Sequence, residues 1–256
     1  MMDKCSIILP IFNEKKNIPI LLKKIISIKK KIKNVYLDII FVDDSSTDGS
    51  TEILKELEKK HKKIIKVIFR KKKRSLVQSF NEGIRIAKSK YIIWMDADLS
   101  HPPEMISKFF FHIKKGKVDV ISFSRFLINS KRYYNKNNKM LIDYMSNFLN
   151  KLCVMFFYKD ITDYTSGFIF LKKNLLKNQL HGYYGDYYIN LLVDLKINNC
   201  SIIELPYTEK KRLYGKSKTT SNYLNFFIKC SYYMKAFIIN YFKIFLSNLL
   251  KSKNFT

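Results

Sequence analysis

The chain of 256 residues is poor in several things that would place it at once. It has 4 cysteines, Cys5, Cys153, Cys200 and Cys230, scattered with no close pair. No zinc spacing and no disulfide framework can be read from them, and they fit a reducing compartment in which Cys serves as a small core residue. Nowhere do about eighteen apolar residues run without a charge, so a membrane-spanning helix is not expected. No apolar signal core precedes the first strand, so the main domain is expected to face the cytosol. Carboxylates are scarce: 21 Asp and Glu stand against 48 Lys and Arg. The formal charge of +27 attracts polyanions such as nucleic acid, anionic lipid headgroups or phosphorylated substrates.

What is present is a core and a rhythm. Apolar residues make up 47% of the chain, enough to bury a single α/β domain. Short apolar runs alternate with amphipathic stretches. Strands are expected at Cys5–Phe12, Tyr36–Val42, Ile64–Phe69, Tyr91–Met95 and Val118–Phe123. Helices are expected at about Lys16–Lys33, Ser50–His61, Leu76–Lys88 and Glu104–Lys115. This alternation argues for a mostly parallel sheet with helices on both faces, whose ligands bind beyond the carboxyl ends of the strands.

The few acids collect at those ends. Asn13-Glu14 follows the first strand, Asp43-Asp44-Ser45-Ser46-Thr47-Asp48-Gly49 the second, and Asp96-Ala97-Asp98 the fourth. Asp96 and Asp98 lie two apart on an extended segment and can face one hard cation, Mg²⁺ or Mn²⁺, that also meets a diphosphate. A solvated turn capping a helix is the plainer alternative. Asp48 or Ser50 is expected to be the N-cap of the second helix, and one of the adjacent acids Asp43 and Asp44 to accept hydrogen bonds from a base or ribose. Arg125 follows the fifth strand. In Lys211-Arg212-Leu213-Tyr214-Gly215-Lys216-Ser217-Lys218, Gly and Ser between basic residues allow a loop that wraps a phosphate. The basic cluster Arg70 to Arg74 has no such features and reads as an exposed face.

With these segments in order, and with Leu9-Pro10-Ile11-Phe12-Asn13-Glu14, Ser100-His101-Pro102-Pro103-Glu104, Ser124-Arg125-Phe126 and Thr165-Ser166-Gly167-Phe168, the chain resembles the family 2 glycosyltransferases, and within them the dolichyl-phosphate (polyprenyl-phosphate) mannose synthases. The resemblance covers about residues 5 to 220. It implies a Rossmann-like nucleotide-sugar fold of the GT-A type and an inverting, metal-dependent transfer of a hexose, mannose from GDP-mannose, to a polyprenyl or dolichyl phosphate. It implies that Pro10, Phe12, Glu14, Val42 and Asp44 hold the nucleoside, and that Asp96, Ala97 and Asp98 contact diphosphate and metal. Arg125, Arg212 and Lys218 would contact phosphates, with Asp98 and Arg125 carrying catalysis. The nucleophile would already be an anion, so alignment and leaving-group stabilisation would do most of the work. Phe12 stands where the family often has Tyr, and Tyr133 to Tyr144 carries Lys136 and Lys139 in place of arginines.

Residues 1–220 are expected to form the transferase domain and 221–256 an amphipathic C-terminal helix. Asn225, Lys229, Asn240, Lys243, Ser247 and Lys251 share one stripe of that helix, while Phe226, Phe227, Phe237, Ile238, Tyr241 and Phe245 lie off it. Such a helix can lie peripherally on a cytosolic membrane face, endoplasmic reticulum or plasma membrane according to the cell, with its lysines meeting anionic lipid. A helix packed on the domain or on a partner protein is the plainer alternative, and a partner subunit with membrane spans could also receive this face. Two rival functions are open: a family 2 transferase using another nucleotide sugar or a non-lipid acceptor in cell-surface glycan synthesis, and a basic nucleic-acid-binding protein. The second predicts steep salt dependence and leaves the ordered acids unexplained, so no nucleic-acid partner is expected.

Overall fold

The computed structural model describes residues 3–32, 34–114, 118–132, 140–215 and 223–253. In chain order the elements are β1 (Asp3–Ile11), α1 (Asn17–Lys31), β2 (Val35–Asp43), α2 (Ser50–Lys60), β3 (Ile65–Phe69), α3 (Leu76–Ile86), β4 (Tyr91–Trp94), α4 (Ile106–Lys114), β5 (Val120–Ser124), α5 (Met140–Phe156), β6 (Ile169–Lys172), α6 (Tyr187–Ile197), β7 (Ile202–Pro206) and α7 (Tyr223–Lys253). The described strands form one sheet in the order β3-β2-β1-β4-β6-β5-β7. β6 runs antiparallel to both β4 and β5, and the remaining pairings are parallel. The expected mixed α/β, mostly parallel architecture is therefore present.

Alternation along β1 shows why the sheet is covered on both faces. Cys5, Ile7, Leu9 and Ile11 point into one apolar layer, where Ile18, Leu21 and Ile25 of α1, Leu54 of α2 and Phe109 of α4 meet them. Ile8 points the other way, into a layer with Val77 and Phe80 of α3, Cys153 of α5, Ile189 and Leu192 of α6 and Ile244 of α7. Helix α3 crosses β1 so closely that a Cβ on Gly83 would stand 2.5 Å from Ile8 Cγ2. Pro103 opens a short 3-10 turn, Pro103–Met105, that leads into α4.

The chain runs from β1 outward to β2 and β3, then returns to place β4 on the other side of β1. That reversal makes a topological switch point between β1 and β4, the crevice where open α/β sheets take their ligands.

The C-terminal helix turns its polar stripe inward. The Asn240 amide donates to Asn190 Oδ1 at 2.6 Å and to the Ala236 carbonyl at 2.8 Å, Lys243 pairs with Asp194, and Lys251 donates to Asn199 Oδ1 at 3.2 Å. Phe242, Phe245, Leu246, Leu249 and Leu250 are exposed instead. Asn190 and Asp194, one turn apart on α6, take Asn240 and Lys243, the packing on the domain that was the plainer alternative for this helix, while Lys251 is exposed. Asn225 and Phe226 lie outside the described side chains. Among the described residues no helix is long and apolar enough to cross a membrane.

Candidate active site

The loops after β1 and β2 are laced together. Asn13, in the left-handed region at φ 56, begins three successive amides that each donate to a side-chain oxygen of the other loop. Asn13 N–H donates to Ser46 Oγ at 2.9 Å, Glu14 N–H to Ser50 Oγ at 2.9 Å, and Lys15 N–H to Asp48 Oδ2 at 3.0 Å. Thr47 N–H returns a bond to Asn13 Oδ1 at 2.8 Å. Asp43 accepts from the Ser46 amide at 3.1 Å and the Thr51 hydroxyl at 2.5 Å, so it builds the turn. The N-cap of α2 is Gly49 at φ 93, where a left-handed backbone favours glycine. The expected Asp48 sits one residue earlier and accepts the Ser50 amide at 3.0 Å.

Of the adjacent acids, Asp44 faces a network. Arg70 Nη1 donates to its Oδ1, and the Ser75 amide donates to its Oδ2 at 2.7 Å. Burial pushes the Asp44 carboxyl above its ordinary value even with Ser75 and Arg70 opposing. Arg70 Nε also donates to Glu82 at 2.9 Å, and its side chain is only 2% exposed. The reading of Arg70 to Arg74 as an exposed face is thus corrected at its first residue: a buried carboxylate at the end of β2 needs a counter-charge, and Arg70 supplies it. Lys71, Lys72, Lys73 and Arg74 are exposed. The Arg74 guanidinium lies over the Phe12 ring at 4.3 Å, a cation–π contact that needs no hydroxyl on that ring. Pro10 is half-buried at the end of β1. Val42 is fully buried under α3, its Cγ2 3.4 Å from where a Cβ on Gly83 would stand.

Asp96 and Asp98 follow β4. The Asp96 amide donates to His101 Nδ1 at 3.0 Å, and the His101 ring stacks on Phe168 with centroids 4.7 Å apart. Asp98 Oδ1 accepts the Ser100 amide at 2.8 Å, around a left-handed Leu99 at φ 68. Burial pushes the Asp96 carboxyl up; His101 opposes this and the neighbouring Asp98 adds to it. Ala97 is buried between them.

Arg212 joins this loop to the end of β1. Its Nη2 lies 2.5 Å from Asp98 Oδ2, and its Nη1 donates to Glu14 Oε1 at 3.1 Å. Glu14 Oε2 accepts from Asn17 Nδ2 at 2.5 Å, and the same amide reaches the Tyr214 carbonyl at 3.3 Å. A cation therefore already stands against Asp98, which tests the donor set: the site suits positive charge. Among the described residues no three His, Cys, Asp or Glu side chains form a ready-made cage. Mg²⁺ characteristically uses one or two carboxylates and leaves its other positions to water and substrate phosphate, so Asp96 and Asp98 fit.

Arg125 is committed to a buried pair. Its Nε and Nη2 donate to the two oxygens of Asp163 at 2.8 and 2.9 Å, Nη2 also donates to Thr165 at 2.8 Å, and Nη1 lies 3.5 Å from Glu209. The structure thus brings Glu14, Asp96, Asp98 and Arg212 together, places Asp44 in the Arg70 network, and holds Arg125 on Asp163. Lys218, Lys136 and Lys139 lie outside the described residues. Sequence reasoning missed Asn17, His101, Arg70 and Asp163 as organising residues. The five-residue step from Asp96 to His101 was the one local signal available.

A family model described as Glycosyl transferase family 2 matches residues 6–180. A dolichol-phosphate mannosyltransferase of Pyrococcus furiosus is 30% identical over 215 residues, 84% of this chain and 59% of that protein. A dolichol-phosphate mannosyltransferase of Saccharomyces cerevisiae is 36% identical over 105 residues, 41% of this chain and 39% of that protein. The chain thus spans less than two thirds of either relative. Among solved structures, glucosyl-3-phosphoglycerate synthase from Mycobacterium tuberculosis in complex with Mn²⁺, UDP and phosphoglyceric acid superposes with a TM-score of 0.67 at 14% identity, covering 93% of this chain and 78% of that one. That likeness bears on the fold, which is of the GT-A type. The family match runs from β1 to just beyond β6 and takes in the carboxylate-bearing loops after β1, β2 and β4, and the chain belongs to glycosyl transferase family 2.

Proposed function

We propose that this glycosyltransferase moves mannose from GDP-mannose to a polyprenyl or dolichyl phosphate, with inversion, on the cytosolic face of a membrane. The observation that carries the reading is the meeting of Glu14, Asp98 and Arg212, beside Asp96, at the switch point between β1 and β4. Phe12, Pro10 and Glu14 would line the nucleoside end, with Val42 beneath and Asp44 held by Arg70. Asp96 and Asp98 would hold Mg²⁺ or Mn²⁺, which when bound supplies positive charge to the departing diphosphate. Arg212, with Lys218, would add charge-assisted hydrogen bonds to phosphate oxygens. Arg125, fixed by Asp163, would fix the loop after β5.

An acceptor phosphate is an anion at neutral pH, so the residues need to align it and not to deprotonate it. The lipid side of the reading draws on two helices. Tyr144, Phe148, Met155 and Phe156 of α5 are exposed, as are Phe242, Phe245, Leu246, Leu249 and Leu250 of α7. An exposed apolar surface of this kind marks a membrane or partner contact. Under this reading residues 1–220 carry the chemistry and 221–256 contact a membrane peripherally, or a membrane-spanning partner subunit.

The test is a donor screen. Purified protein, isolated membranes and Mn²⁺ or Mg²⁺ are incubated with labelled GDP-mannose, UDP-glucose and related donors, and lipid-linked sugar is extracted. Label from GDP-mannose in the lipid fraction is the expected result. Label only in water-soluble product would remove the lipid acceptor.

A further inference from the structure

We propose that Arg212 is a displaceable internal counter-ion, holding the cation position on Asp98 until a divalent metal and the donor diphosphate arrive together. The proposal rests on the metal-dependent reading above and concerns the order in which the site fills. Glu14 and Asp98 come from different strand ends, and their side chains are 6% and 5% exposed. Two such carboxylates repel each other unless a cation lies between them. The Arg212 guanidinium meets both, at 3.1 and 2.5 Å.

The attachment differs from the buried arginine pairs at Arg70 and Arg125. The side chains of Arg70 and Arg125 are 2% and 7% exposed, sealed against Asp44 and Asp163, whereas Arg212 is 26% exposed. Its backbone is anchored independently of the guanidinium. Lys210 N–H donates to the Ser100 carbonyl at 3.0 Å, and Leu213 N–H donates to the Asp98 carbonyl at 3.2 Å. The side chain can therefore leave Asp98 Oδ2 while its own segment stays on the loop. Just beyond, Gly215 sits at φ +83, and among the described residues no atom lies within 4 Å of where its Cβ would stand. The joint also keeps an unsatisfied acceptor: Asn17 is buried, and its Oδ1 has no hydrogen-bond partner among the described residues.

Charge decides the sequence of events. A metal ion alone must expel the guanidinium from Asp98 into solvent, which forfeits a charge-assisted bond. A metal ion arriving with a diphosphate gives the displaced guanidinium new oxygens to meet, so the loss is recovered in the same step. Metal alone should therefore bind weakly, and a nucleoside diphosphate should strengthen it; by reciprocity the metal should strengthen the nucleotide equally.

The experiment titrates Mn²⁺ into the full chain, reading free Mn²⁺ by electron paramagnetic resonance, with and without GDP. Without nucleotide, Arg212→Ala should bind Mn²⁺ at least about tenfold more tightly than the unmodified protein, and GDP should enhance Mn²⁺ binding less in the variant than in the unmodified chain. Should Arg212→Ala fail to fold, the neutral Arg212→Gln is held to the same expectation. Equal or weaker Mn²⁺ binding in a folded variant overturns the counter-ion and leaves the metal reading standing. No Mn²⁺ binding by either protein, with or without GDP, overturns both.

Discussion

Arg125 and Asp163 form a two-point ion pair inside the domain, with Nε and Nη2 donating to opposite carboxylate oxygens at 2.8 and 2.9 Å. Asp163 is fully buried and also takes the amides of Arg125 and Thr165 at 3.1 and 3.0 Å. Removing one partner leaves the other charge buried without compensation. Asp163→Ala should cost about 3–5 kcal/mol, read as a shift in the urea midpoint with an unchanged slope.

The same pair sets a sign for acid sensitivity. Burial alone would raise the Asp163 carboxyl, but the Arg125 guanidinium and its hydrogen bonds outweigh that and hold it below its ordinary value. A depressed carboxylate contributes its full stability above the unfolded value of about 3.9 and loses it as pH falls through the lower folded value. The unmodified protein should therefore lose stability below about pH 4 with a component that Asp163→Asn lacks. Denaturation curves taken at a series of pH values measure this, and parallel profiles would contradict it.

Asp98→Asn should keep the fold and lower kcat/KM for sugar transfer by at least about a hundredfold, the scale of losing an electrostatic contact to developing charge. Its Oδ1 bond to the Ser100 amide can be kept by the Asn carbonyl, so the thermal melt should stay cooperative. Near-normal turnover with metal supplied would sink the assignment.

Helix α7 is tested at Gly185, where an added Cβ would stand 2.0 Å from the Tyr233 hydroxyl and 3.0 Å from its Cζ. Gly185→Ala should destabilise by about 1–3 kcal/mol, the usual cost of overpacking. In a Tyr233→Phe background the closest clash is gone, and the two changes should couple by at least about 0.5 kcal/mol. Strictly additive melts would show that α7 does not press on this loop.

Asn240→Ala tests the inward stripe. The change strips Asn190 Oδ1 of its 2.6 Å donor in a buried setting. Loss of about 1–3 kcal/mol is expected. A neutral result by calorimetry would mean that α7 is held by its apolar contacts alone.

The first five strands were legible because each is an apolar block followed by polar turn residues, and the acids at their ends marked the site before any contact was known. β6 was not: Ile169–Lys172 is short, and the turn before it, at Gly167 with φ +67, lies inside the Thr165–Phe168 motif that carries the resemblance. α6 escaped for the opposite reason: Tyr187 to Val193 are all buried, so no polar face gave the helix a period. Arg70 shows the limit of charge-run reasoning. In Arg-Lys-Lys-Lys-Arg one side chain goes inward and four stay out, and only the position of Asp44 in space decides which. The stripe on α7 was legible as a stripe, but which of its members pack on the domain was not, because the sequence of one helix does not say that α6 offers Asn190 and Asp194 to Asn240 and Lys243.

The lacing of the loops after β1 and β2 has a consequence for how the enzyme discriminates. The amides of Asn13, Glu14 and Lys15 are already spent on Ser46, Ser50 and Asp48, so this stretch of rim cannot act as a backbone cradle for anions. Whatever it recognises, it recognises by shape set in advance, like a die. Adjustment to different ligands falls instead to side chains such as Arg212, 26% exposed, which bridges Glu14 of this rim to Asp98.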